Sequence, residues 1–187
     1  WFGHKILLMT PEEEKAALKT DTLAETKPDT DTKMRSDTLS PGFDEARLGS
    51  LLLHELSHTG HKTNWMGSGD YQEGQSYAIE YFYAEKSRDQ KRMDKILDIM
   101  RAGSVAMPAL RDSLRTHFRW SYALMVSLQQ LIKTGKAPYS TELNLTTDDA
   151  ELLSAEFVTN FRSPSKKLQS VIDYVQGHLA AFRQPPL

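Results

Sequence analysis

A mainly α fold, one compact helical domain with little β structure, is what this sequence predicts, and three observations carry the prediction. Apolar residues recur at spacings of three and four through the C-terminal half, as in Leu110, Leu114 and Phe118 and again in Tyr122, Met125 and Leu128. No internal repeat, coiled-coil heptad or phosphate-binding glycine loop interrupts them. At 187 residues, with 39% hydrophobic and 26% charged side chains, the chain can bury one core and is too short to divide comfortably into two.

Taken in order, residues 1 to 9 read as a short extended segment, with His4 structural or exposed. Pro11, followed by Glu12, Glu13 and Glu14, marks the acidic first turn of a small helix ending near Leu18. From Lys19 to Ser40 polar residues and proline dominate and no period survives, which predicts a loop or mobile segment long enough to act as a substrate flap. Asp44 is the expected N-cap of a helix with Leu48, Leu51, Leu52 and Leu56 on its buried side, and Gly60 its expected left-handed stop. Gly67 and Gly69 mark the following turn. A second helix is expected from Asp70 toward Met100, with a break in the charged stretch Lys86 to Arg92, whose side chains are expected on a solvated face. Further helices fit Ala106 to Thr134, Thr147 to Phe161 and Ser165 to Phe182, with Trp120 and Tyr122 in or beside the core.

Composition narrows the chemistry. A net charge of −2 without clustered Lys and Arg argues against nucleic acid or anionic lipid as partner. The absence of cysteine removes disulfides, thiolate metal sites and a cysteine nucleophile, so any transition metal must use His and carboxylate. Apolar runs such as Ile6 to Met9 fall far below the roughly 18 residues of a membrane span. The first residue is Trp1, without a signal-peptide pattern behind it, and the chain reads as a domain of a longer polypeptide.

One constellation carries chemistry. His54-Glu55-Leu56-Ser57-His58 is the pattern H-E-x-x-H on a predicted helix. Four positions are slightly more than one turn, so both imidazoles emerge on one face and can bind one ion. Glu55 lies about 100° around the helix from His54, where a carboxylate can serve as general base without being a ligand. Zinc acidifies water and polarises a carbonyl, and that carboxylate takes the proton and returns it to the leaving amine. The pattern arises by chance in roughly one chain of this length in two hundred.

A catalytic zinc needs a third protein ligand and an open position. His61 lies about 10 Å of helical rise from His54, too far to converge on one ion unless Gly60 ends the helix first, and the extended pattern H-E-x-x-H-x-x-G-x-x-H fails at Asn64. The candidates are Glu73 and Glu80, seven residues apart on one face of the second helix with Tyr77 between them. Glu73 is favoured, although Asp70-Tyr71-Gln72-Glu73 also reads as a capping box. Glu80 alternatively supports a ligand from behind. Tyr71, Tyr77, Tyr83, His117 and His178 are candidates for stabilising the developing oxyanion.

The motif, followed by Glu73-Gly74-Gln75-Ser76-Tyr77-Ala78-Ile79-Glu80, resembles the gluzincin type of zinc metallopeptidase. More narrowly, it is similar to metallopeptidase domains of bacterial secreted and polymorphic toxins, in which a helix of the form E-x-x-A-Y-x-x-E follows the histidine helix. The resemblance covers roughly residues 44 to 85. It implies Glu73 as the third ligand, with Ser76 in the place of the small alanine. It also implies a peptide or protein substrate, a cognate immunity or inhibitor protein, and delivery by a bacterial secretion system into a target cell or periplasm. The rival expectation is a non-catalytic interaction or adaptor domain of a secretion-system protein, in which zinc is closed by four protein ligands.

Overall fold

In the computed structural model, which describes residues 5–20, 22–26, 31–60, 68–106 and 108–187, the central element is a 27-residue helix, α5 (Pro108–Thr134), about 40 Å long. Around it pack α3 (Ser68–Ser87), α4 (Gln90–Ala106), α6 (Thr147–Asn160) and α7 (Lys166–Gly177). The helix that carries the histidines, α2 (Glu45–Thr59), lies against α3 and meets α6 near its end. The domain is helical, as its apolar periodicity predicts. No described helix is long and apolar enough to cross a membrane.

Local chemistry sets most boundaries. Asp44 caps α2 by accepting from the backbone N–H groups of Ala46 and Arg47 at 2.8 and 3.1 Å. Thr146 and Asp149 form a reciprocal capping box at the start of α6, and Ser165 caps α7. The expected break between α3 and α4 falls at Arg88, with φ at 58°, and Asp89 then accepts from the Arg92 N–H at 2.9 Å to start α4. Beyond α7 a short 3₁₀ turn, Leu179–Ala181, replaces the last turn expected of that helix.

Three sequence expectations are corrected. The 19–40 segment is not an irregular loop. It follows β1 (Ile6–Leu8) and α1 (Pro11–Thr20) and supplies β2 (Ala24–Thr26), β3 (Thr32–Met34) and a 3₁₀ turn, Ser36–Leu39. The strand order is β1-β3-β2, with β1 parallel and β2 antiparallel to β3. Strands of three residues are too short to display alternation, which is why the sequence hid them. Gly60 ends α2 in right-handed geometry, φ −76°. Its requirement is space, since a Cβ there would meet the Thr159 carbonyl at 2.7 Å. The stretch Lys86 to Arg92 is not uniformly solvated, because Arg92 turns inward to Glu80.

Two apolar clusters hold the helices. Trp120, Leu124, Leu128 and Leu131 of α5 pack with Phe157 of α6 and with Val171 and Val175 of α7. Ala78 and Tyr81 of α3 pack with Ile96 and Met100 of α4 and with Phe118 and Tyr122 of α5. Trp120 and Tyr122 are core residues, each 1% exposed. A small third cluster, Ala24, Met34 and Leu51, seats the sheet on α2. Helix α3 has neighbours on several sides and therefore shows no single apolar stripe; Gln75, Ser76 and Glu80 are buried beside Ala78 and Ile79. Gly74 lets α3 approach α5, where a Cβ would lie 2.9 Å from that of His117.

Candidate metal centre

Helix α2 turns His54, Glu55 and His58 toward α3 and the sheet, all of them buried. Helix α3 crosses them with Glu73. Its two oxygens divide between the imidazoles, Oε2 lying 3.5 Å from His54 Nε2 and Oε1 3.5 Å from His58 Nε2. One donor atom from each of the three residues falls within 4.8 Å of the others, so the group can hold a metal ion. Donors about 2.1 Å from a tetrahedral zinc stand about 3.4 Å apart, and the observed contacts fit that spacing. Glu73 sits six residues into α3, which begins at Ser68, so Asp70 is not the N-cap and the capping-box assignment fails.

The other ring nitrogens are held from behind. Glu80, fully buried, lies with Oε2 3.1 Å from His54 Nδ1 and accepts from the Ser50 hydroxyl at 2.9 Å and from the Arg92 guanidinium. Burial alone would push its carboxyl up, but His54 and Arg92 outweigh burial and hold it below the usual range. His58 Nδ1 lies 3.5 Å from the Ser76 hydroxyl, which is hydrogen-bonded to Ser57. Both imidazoles therefore offer Nε2 to Glu73. Burial disfavours a charged His54, yet Glu73 and Glu80 together push its pKa up to about 10. The same two carboxylates make the position electrostatically suited to a cation.

Glu55 stands outside this ligand group, as its angle around the helix requires. It is 6% exposed, and burial raises its carboxyl, opposed by the charge of His54 and by a hydrogen bond from Thr26 on β2. The group opens into a cleft of about 530 Å³ between α2, β2 and the face of α4 that carries Arg92, Lys95 and Ile99. The segment read as a loop thus borders the site as an edge strand.

Of the oxyanion candidates, only Tyr77 lines the cleft, its ring centroid 4.7 Å from that of His54. The Tyr71 ring lies tilted against that of His117, with centroids 3.0 Å apart, and His117 accepts from the Trp120 indole at 2.9 Å. Tyr83 lies against Gly49, and His178 stacks on Tyr174. These four belong to packing. His4, His61 and Asn64 lie outside the described residues.

Sequence reasoning missed Ser50, Arg92 and Thr26 as neighbours of the site. Ser50 was within reach, being one turn before His54 on the same face. Arg92 and Thr26 arrive from other elements and left no local signal. Comparison with protein-family models, with curated proteins and with solved structures finds no match.

Proposed function

We propose that this domain is a zinc-dependent peptidase in which His54, His58 and Glu73 hold the ion and Glu55 is the general base. The observation that carries the proposal is the convergence of both Nε2 atoms on the two oxygens of Glu73, at the floor of a cleft, with Glu55 beside the group and not in it. A bound zinc ion would supply a Lewis acid that polarises a carbonyl and acidifies water.

The residues of the chain do the rest. Glu55, raised by burial, accepts a proton from water and passes it to the leaving amine. Glu80 and Ser76 orient the imidazoles, as partners behind metal ligands do. Tyr77 lines the cleft beside His54, placed to donate to the developing oxyanion.

The sheet favours a peptide as substrate. Thr32 donates its backbone N–H to Lys5, and the Met34 carbonyl accepts from Met9, so both turn toward the β1 side. Ala24 and Thr26, opposite Met34 and Thr32 in the register, therefore present backbone groups to the outer edge of β2. An extended chain can add there as a further strand along the cleft. Among the described residues the group has three ligands, and Glu73 is half exposed, which favours a catalytic site over a closed structural one. The similarity to toxin metallopeptidase domains extends the proposal to a bacterial effector delivered to a target cell or periplasm and countered by a cognate inhibitor.

Metal analysis and peptide hydrolysis test the proposal together. Wild type is expected to bind near one zinc per chain, His58→Ala and Glu73→Ala to lose it, and Glu55→Gln to keep zinc while losing hydrolysis. Loss of zinc in Glu55→Gln, or no zinc in the wild type after zinc is supplied, would overturn the assignment.

A further inference from the structure

The cleft contains positive charge that the reaction does not use. Arg47 lies seven residues before His54 on the same face of α2, and Lys95 one turn after Arg92 on α4; both are exposed and both line the cleft. Arg92 is committed to Glu80. Among the described residues no carboxylate pairs with either of the other two, and the Arg47 guanidinium instead lies 5.3 Å over the Phe43 ring.

The acids of the cleft are already engaged. Glu73 belongs to the ligand group, and Glu55 to proton transfer, where together they balance a divalent ion. Glu25 borders the cleft on β2, but its neighbours Ala24 and Thr26 turn their buried side chains to the α2 side of the sheet. Glu25 therefore projects to the opposite face with its cross-strand partner Lys33. Among the described residues, what remains facing the substrate is the pair of cations Arg47 and Lys95.

From these charges we infer that Arg47 and Lys95 are specificity determinants, and that the cleft selects peptides carrying an Asp or Glu near the scissile bond. The inference rests on the peptidase reading. Seven residues of helix separate Arg47 from His54 by about 10 Å, and an extended peptide advances about 3.3 Å per residue. The acidic side chain is therefore placed about two to four residues from the cleaved bond.

The test compares peptides identical except for Glu, Gln or Lys at those positions. Binding is read on zinc-loaded Glu55→Gln and cleavage on the otherwise wild-type protein. Glu peptides are expected to bind about tenfold more tightly than Gln peptides, and the preference should shrink as salt rises from 0.05 to about 0.5 M. Adding Arg47→Glu and Lys95→Glu should reverse the order in favour of Lys peptides; both side chains are exposed, and circular dichroism verifies folding. Arg47→Gln with Lys95→Gln is the milder pair and should abolish the preference without reversing it. Equal binding of Glu and Gln peptides, a preference that survives charge reversal, or no binding of any peptide would overturn the inference. Selective binding of Glu peptides without cleavage by the wild type would instead retain the role of the cationic pair and overturn the peptidase reading.

Discussion

The buried residues around α5 and those between α2 and α3 differ in kind. Around α5, Leu124, Leu128, Phe157 and Val171 exclude water and make no polar demand. Between α2 and α3 the interior contains His54, Glu55, Ser57, His58, Ser76 and Glu80, all of them buried. A group of this kind is tolerated only when its members satisfy one another, because an unpaired buried charge costs several kcal/mol. Glu80 is the hub, taking His54, Ser50 and Arg92 on two oxygens. One core stabilises by volume, and the other by partners while holding in place three side chains that can hold a metal ion.

Paired substitutions separate the two. Leu128→Ala removes packing at a site with 0% exposure and should cost about 3 kcal/mol of stability. Glu80→Gln should cost about as much, because the Arg92 charge loses its carboxylate. Their metal affinities are expected to diverge: Glu80→Gln should weaken zinc about 10- to 100-fold, and Leu128→Ala should leave it unchanged. Denaturant titration beside zinc competition reads both effects, and equal zinc affinity in the two variants would erase the distinction.

His117 tests the border between the regions. Burial lowers its imidazole from 6.5 to about 4, so it folds neutral, accepting from Trp120. A lowered pKa gives stability that is present above pH 6.5 and lost as pH falls through 4. His117→Gln keeps an acceptor for the indole and removes the titration. Its loss of stability between pH 6.5 and 4 should be smaller than that of wild type by about 2 kcal/mol. An identical loss in both proteins would place the acid sensitivity elsewhere.

Ser76→Ala is expected to have the smallest effect. Ser57 still donates to the His54 carbonyl at 2.7 Å, while His58 Nδ1 loses a neighbour at 3.5 Å. Zinc affinity should fall by less than about tenfold, and stability by about 1 kcal/mol. A loss as large as that of Glu80→Gln would mean that the two histidines are held equally from behind.

What was legible in the sequence is what one helix enforces on itself. The interval from His54 to His58 puts both rings on one face whatever surrounds it, Asp44, Ser165 and the acidic turn after Pro11 start helices by chemistry within four residues, and Leu110 to Leu128 repeats at a helical period. Tertiary structure decided the rest. Glu73 and Glu80 share a face and are equivalent by spacing alone; how α3 is set against α2 aims one at both Nε2 atoms and the other at Nδ1 behind. The three short strands, the inward turn of Arg92 and the space required at Gly60 depend on partners up to about 100 residues away. Such contacts leave no period in the chain, because they record the approach of separate elements and not the geometry of any one of them.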